Sequence, residues 1–289
     1  MVDFQIPSPI QELSSDILMQ HGLRLFMKRE DLIHEEISGN KWRKLKYNVQ
    51  NMRVGGYKTL LTFGGAYSNH IAATAAVGKY FGINTIGIIR GEEGFENTTL
   101  SKAKADGMQL RFISRADFKQ KNEPAFQEKL KAEFGGFYIV PEGGANELGV
   151  KGCEEVLDEV KSKFDYITTS AGTGTTAAGI CRRLTTEKLL VFPALKGGDF
   201  IADEMAHYCE PKQMKKIKLF TDYHFGGYGK VKPELIDFMQ DFKATYNIQL
   251  DQVYTSKMLF GLFECIEKGE IPKGAKVLAI HTGGVQGNG

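Results

Sequence analysis

Short apolar, β-branched runs recur along the chain: TLLTF (59–63), TIGII (85–89), FYIV (137–140), YITTS (166–170), LLVFPAL (189–195), IKLFT (217–221) and KVLAI (276–280). Between most of them lie amphipathic helical stretches such as SNHIAATAAVGKYFG and GVKGCEEVLDEVKSKF. A strand that is apolar on both faces needs helices on both sides. Alternation of such strands with helices through Gly-rich joints therefore specifies an α/β chain with mostly parallel sheets. No repeat, low-complexity linker or Pro-rich hinge divides the 289 residues, enough for one large domain or two ordinary ones.

In folds of this kind ligands gather beyond the carboxyl ends of the strands. The loops there are FGGAYSNH after 59–63, SAGTGTTAAG after 166–170 and HTGG after 276–280, with PEGGANELGVKG following FYIV. SAGTGTTAAGI (170–180) joins a strand to a helix, and its small residues leave backbone amides free at the positive end of the helix dipole, which makes an anion site. Gly172, Gly174 and Ala177 also satisfy G-x-G-x-x-[GA], but the next strand ends FPALKGGD with no acid at its tip to hold a ribose. Thr173, Thr175 and Thr176 add hydroxyl donors, which suits a phosphate monoester. A tight turn without a ligand is the plain alternative.

A phosphate monoester cofactor that needs an amine is pyridoxal phosphate, whose aldehyde condenses with a lysine. ISGNKWRKLKYN (37–48) offers Lys41 behind a Ser-Gly-Asn turn, with Arg43, Lys44 and Lys46 expected on the solvated face of the following helix. The chosen amine must be desolvated so that part of it is free base. Spacing alone leaves Lys44 as a rival. Ser68 and Asn69 could simply cap a helix, and Tyr228 and Tyr254 could be rings at a core edge. His70, His224 and His281 have no paired acid or histidine and read as structural or substrate-edge residues.

In order, KREDL…SGNKWRKLKYN, GGAYSNHIAATAA, PEGGANELGVKG, SAGTGTTAAG, DQVYTSKMLFGL and HTGG resemble the pyridoxal-phosphate enzymes comprising D-cysteine desulfhydrase and 1-aminocyclopropane-1-carboxylate deaminase. The resemblance runs from about residue 20 to the end. It implies PLP fold type II, the tryptophan synthase β-like fold, with two open, mostly parallel α/β domains and the cofactor between them. The larger, cofactor-binding domain would be residues 1–40 plus 151–289 and the smaller 41–150.

Position by position, the resemblance implies that Lys41 is the Schiff-base lysine and that Gly172, Thr173, Gly174, Thr175 and Thr176 hold the phosphate. Asn69 would hydrogen-bond the ring hydroxyl, Ser68 would sit beside the substrate as carboxylate ligand or proton carrier, and His70 would lie at the substrate's edge. Tyr228 and Tyr254 would line the substrate side. Thr255 would face the pyridine nitrogen with Thr282 close by.

The deaminases carry a glutamate where this chain has Thr255. A hydroxyl cannot keep the ring nitrogen protonated as a carboxylate does, so Thr255 favours β-elimination from D-cysteine over cyclopropane opening, which lacks a free α-proton and demands a stronger electron sink. A serine/threonine dehydratase-like activity and a carrier of the cofactor without turnover are the other readings; the substrate-side groups argue against the carrier. Tyr67 and Trp42 depart from the family pattern and are expected to reshape the pocket.

The partner class follows from charge. With 37 Lys+Arg against 35 Asp+Glu and no long run of either sign, neither nucleic acid nor an anionic membrane is expected as a partner. No stretch has the length and apolarity of a membrane span and the first residues lack a signal-peptide layout, so the expected location is the cytoplasm. Cys153, Cys181, Cys209 and Cys265 are too scattered for a metal site and read as reduced thiols. The expected partners are a small amino-acid substrate and, from the resemblance, a second copy in a homodimer.

Overall fold

The structure is a computed structural model and describes residues 2–37 and 39–285. Its strands sort into two sheets. Strands β1 (Ile10–Leu13), β2 (Arg24–Lys28), β7 (Tyr166–Ala171), β8 (Lys188–Pro193), β9 (Ile217–Leu219) and β10 (Lys276–Ile280) form a six-stranded sheet in the order β1-β2-β10-β7-β8-β9. Strands β3 (Thr59–Gly65), β4 (Asn84–Arg90), β5 (Gln109–Ile113) and β6 (Tyr138–Val140) form a four-stranded sheet in the order β5-β4-β3-β6. Every pairing is parallel except β1 with β2. The expected α/β class with mostly parallel sheets is what forms.

Alternation along the central strands decides which side chains meet which layer. On β10, Val277 and Ala279 join one core with Leu259 and Leu262 of the helix Thr255–Glu267. Leu278 and Ile280 point the other way, into a core with Val150 of the helix Glu147–Asp158 and Ile180 of the helix Thr175–Arg183. Each of these valine, leucine and isoleucine side chains contributes about 1.5–3 kcal/mol when fully buried. The four-stranded sheet is covered on one side by the helix Asn40–Val54 together with Asn69–Phe81, and on the other by Phe118 and Leu130.

The helix Asn40–Val54 runs closely against Glu147–Asp158. At Gly152 a Cβ would lie 1.8 Å from the Arg43 carbonyl oxygen, so only glycine permits this approach.

That packing overturns the expectation that Arg43, Lys44 and Lys46 are solvated. Arg43 is fully buried, and its Nε and Nη2 each donate to Glu30 at 2.9 Å while Nη2 also meets Glu159 Oε1 at 2.7 Å. Lys44 is 4% exposed, and Lys46 is partly buried with Nζ 2.7 Å from Glu155 Oε1. The helix is covered by neighbouring helices on several sides, and acids distant in sequence converge on it.

Trp42 is corrected as well. It stacks on Phe4 with ring centroids 3.9 Å apart, and behind it on Phe81, inside the core and away from the cavity wall. It therefore does not shape the pocket; Tyr67, exposed at the cavity rim against Phe95, does.

Candidate active site

A cavity of about 1120 Å³ opens where the carboxyl ends of the strands of both sheets meet, lined by β3, β4, β7 and the loops that follow them. The turn before Asn40 aims the lysine at it. Gly39 has φ 61°, and a Cβ there would fall 1.9 Å from the Thr282 carbonyl oxygen, which also accepts the Asn40 amide at 3.2 Å. Ser38 of the same motif lies outside the described residues.

Lys41 lines the cavity, with Nζ donating to Asn40 Oδ1 at 3.0 Å and lying 6.0 Å from the centre of the Tyr254 ring. Burial, reinforced by the nearby Lys44 charge, brings its amine down to about 7. Asn40 Nδ2 in turn donates to Thr176 Oγ1 at 2.9 Å, tying the lysine turn to the loop after β7.

In that loop Gly172, Thr173, Gly174 and Thr176 line the cavity. Gly174 is the N-cap of the helix Thr175–Arg183, and among the described residues no side chain caps it, so its first amides stand open to an acceptor in the cavity. Thr175 stands behind the wall, its Oγ1 2.9 Å from Thr173 Oγ1. Lys44 lines the same cavity without an acid partner among the described residues, and burial lowers its amine. Free helix-start amides, hydroxyls and a buried amine together form a cradle for a dianion.

Ser68 and Asn69 line the opposite wall. Ser68 Oγ accepts the amides of His70 at 3.2 Å and Ile71 at 3.3 Å, capping the helix Asn69–Phe81 while presenting its side chain to the cavity. His70 also lines the cavity. Its Nε2 meets Thr62 Oγ1 at 2.9 Å, and because Thr62 donates its one proton to Val140 O at 2.7 Å, Nε2 is the protonated nitrogen. Burial, with Lys41 and Lys44 nearby, holds His70 neutral.

Tyr228 and Tyr254 pack edge-on against each other at the cavity wall, ring centroids 6.1 Å apart. Burial raises both hydroxyls, Tyr254 well above the usual range, so both stay protonated near neutral pH. Thr282 reaches the cavity, whereas Thr255 is fully buried behind it, its Oγ1 3.5 Å from Thr282 Oγ1. Ser170 Oγ lies 3.4 Å from the same Thr282 hydroxyl.

Lys44, the rival to Lys41 expected on the solvated face, is buried at the cavity wall, and two further residues shape the site with it. Asn40 bridges Lys41 and Thr176. Asp251, buried, accepts the amides of Val253, Tyr254 and Thr255 at 3.1, 2.7 and 2.8 Å, fixing the backbone that carries both Tyr254 and Thr255. An Asp a few residues before a helix start is a recognisable Asx-turn signal and could have been read.

Comparison with known proteins bears on this cavity. The model of the family described as pyridoxal-phosphate dependent enzyme matches residues 3–283. A relative in Pyrococcus horikoshii, provisionally named 1-aminocyclopropane-1-carboxylate deaminase, is 32% identical over 297 residues, covering 97% of this chain and 90% of the relative. The bifunctional D-cysteine desulfhydrase/1-aminocyclopropane-1-carboxylate deaminase of Arabidopsis thaliana, a mitochondrial protein, is 28% identical over 312 residues, covering 98% of this chain and 77% of its own. A solved structure titled as an ACC deaminase homologue superposes with TM-score 0.81 at 31% identity, over 97% of this chain and 90% of that one.

Proposed function

This chain belongs to the pyridoxal-phosphate dependent enzymes, and from that membership we propose that it eliminates a β-substituent from a small amino acid, with D-cysteine converted to pyruvate, hydrogen sulfide and ammonia. The observation that carries the reading is Lys41: an amine brought to about 7, at the wall of a cavity whose adjoining loop is built for a phosphate. Pyridoxal phosphate fits this donor set. The uncapped helix start, Thr173, Thr176 and Lys44 would hold its phosphate, Lys41 its aldehyde carbon, Asn69 its ring hydroxyl, and the Thr282 hydroxyl, backed by Thr255, its ring nitrogen. When bound, the cofactor supplies an electron-withdrawing ring that accepts the electron pair left as the substrate's Cα–H bond breaks.

The chain's own groups divide the remaining work. Ser68, on the wall opposite the phosphate loop, holds the substrate carboxylate, and neutral His70 lies at its edge. Once the substrate amine has taken its place at the aldehyde carbon, Lys41 Nζ takes the Cα proton, because burial lowers its amine to about 7 and leaves part of it free base near neutral pH while the tyrosine hydroxyls are not ionised. Tyr254, kept protonated by burial and paired with Tyr228, donates a proton toward the sulfur as the Cβ–S bond breaks and sulfur takes the bonding pair. Water then converts the released enamine to pyruvate and ammonia.

The neutral hydroxyls of Thr282, Thr255 and Ser170 at the ring-nitrogen end favour elimination over cyclopropane opening, since Asp251, which precedes Thr255, spends its carboxylate on backbone amides. The second reading, deamination of 1-aminocyclopropane-1-carboxylate, is favoured by the names of the Pyrococcus relative and the superposed structure. Steady-state rates of the holoenzyme on D-cysteine, L-cysteine, D-serine and the cyclopropane amino acid separate the two. The highest kcat/KM on D-cysteine is expected; a cyclopropane preference overturns the assignment.

The same reading takes residues 1–40 plus 151–289 as the larger domain and 41–150 as the smaller, supported by the division of the strands between the two sheets. It takes the active form as a cytoplasmic homodimer. Among the described residues no helix is long and apolar enough to cross a membrane.

A further inference from the structure

Lys257 lies in the first turn of the helix Thr255–Glu267, two residues after Thr255, and is 1% exposed. Among the described residues no carboxylate pairs with it. Its Nζ instead donates to three main-chain carbonyls: Gly227 O at 2.8 Å, His224 O at 3.0 Å and Ala194 O at 3.4 Å. An ammonium has three protons, so this ring of oxygens satisfies it fully. Burial pulls the amine down to about 8, opposed by the charge of Asp251, so near neutral pH the ammonium is the main form.

Two of the three carbonyls belong to the loop that carries Tyr228. That loop turns through left-handed backbone, at no steric cost for Gly226, Gly227 and Gly229 but with Phe225, a residue with a side chain, held at φ 55°. Tyr228 is 42% exposed and its ring packs edge-on against Tyr254, so its place depends largely on how its own loop is held. The third carbonyl, that of Ala194, follows β8, and the lysine itself stands on the helix that begins beside Tyr254. A single cation therefore joins the loop, the sheet and the helix at the tyrosine side of the cavity.

We infer that Lys257 is a positioning residue, an internal cation that gathers three carbonyls and thereby sets the Tyr228 loop, and with it the Tyr228–Tyr254 pair, over the substrate. The inference rests on the proposed elimination for its catalytic consequence. Its structural part stands independently.

Replacing Lys257 with alanine leaves a hole ringed by carbonyl oxygens, a setting that suits potassium or methylammonium and excludes tetramethylammonium. The test compares wild type and Lys257→Ala holoenzymes at pH 7 with each cation in turn, reading cofactor absorbance, kcat/KM on D-cysteine and the thermal unfolding midpoint. The variant is expected to lose about a hundredfold in kcat/KM, the scale of a displaced catalytic group. Potassium or methylammonium should restore about tenfold or more and raise its midpoint, while tetramethylammonium does neither and wild type responds to none. Lys257→Met, which fills the hole with an uncharged chain, should be impaired and beyond rescue.

Loss of activity without any response of rate or midpoint to small cations overturns the inference, as does full activity of Lys257→Ala. A variant that folds only in the presence of potassium or methylammonium supports it. If wild type turns over no tested amino acid, the proposed reaction fails, and the cation response of the midpoint still decides the role of Lys257.

Discussion

Asn40 and Thr176, 136 residues apart in the chain, are joined by a 2.9 Å hydrogen bond from the Asn40 carboxamide nitrogen to the threonine hydroxyl. The carboxamide oxygen meanwhile accepts a hydrogen bond from Lys41 Nζ at 3.0 Å, so one side chain sets the distance between the reactive amine and the phosphate loop. Asn40→Ala should cost about 1 kcal/mol of stability, the usual net value of such a bond, and lower kcat/KM by about ten- to a hundredfold with cofactor still bound. Cofactor absorbance measured beside steady-state kinetics checks it; unchanged kinetics would show that Lys41 is positioned without Asn40.

The lowered Lys41 pKa fixes a pH dependence. In the folded chain the amine loses its proton near 7, whereas its ordinary value is 10.5. The rate at which cofactor-free protein captures pyridoxal phosphate should therefore rise with pH up to about 7 and level off above it, as followed by stopped-flow absorbance. A rate still climbing tenfold per unit above pH 9 would mean an unperturbed lysine. Between about 7 and 10.5 the unfolded chain also binds more protons at this site, so its contribution to the stability of the cofactor-free protein grows as pH rises and is lost as pH falls through 7. Lys41→Met should remove that part of the slope.

Arg43 holds Glu30 and Glu159 in a buried cluster, with Lys28 Nζ 2.6 Å from Glu159 Oε2. Removing the one guanidinium strands carboxylates away from water. Arg43→Leu should destabilise the fold by about 3–5 kcal/mol in denaturant unfolding. A loss under 1 kcal/mol would mean that water reaches the cluster.

Thr255→Glu would set a carboxylate behind Thr282 at the ring-nitrogen end of the cavity. Activity on the cyclopropane substrate should rise relative to D-cysteine, because a protonated ring is the stronger electron sink. Parallel assays of variant and wild type give the ratio, and an unchanged ratio would remove the argument from Thr255.

The strands named from sequence all form, since their residues are apolar regardless of partners. The strands β1, β2 and β5 escape notice for a physical reason: β1 and β5 are sheet edges with polar positions, and β2 carries Arg24 and Lys28 around three apolar residues. Lys28 is buried only because Glu159 and the Ser8 carbonyl meet it from elsewhere in the chain. The burial of Arg43 and the three carbonyls around Lys257 were hidden in the same way. The phosphate loop and the Ser68 cap were legible because their chemistry is local: small residues at a helix start, and a hydroxyl reaching amides two and three residues on. The resemblance implies that Thr255 faces the ring nitrogen, whereas in the fold Thr282 lines the cavity and Thr255 lies buried behind it, an order that only tertiary packing sets.

The central claim is that Lys41, and not the more deeply buried Lys44 one turn on, carries the cofactor. Reducing the holoenzyme with borohydride and mapping the labelled peptide by mass spectrometry tests it most directly. The pyridoxyl mass should sit on Lys41, and should be absent from Lys41→Ala, while Lys44→Ala binds the cofactor more weakly yet keeps the label on Lys41. A label on Lys44 in the unaltered protein would contradict the account.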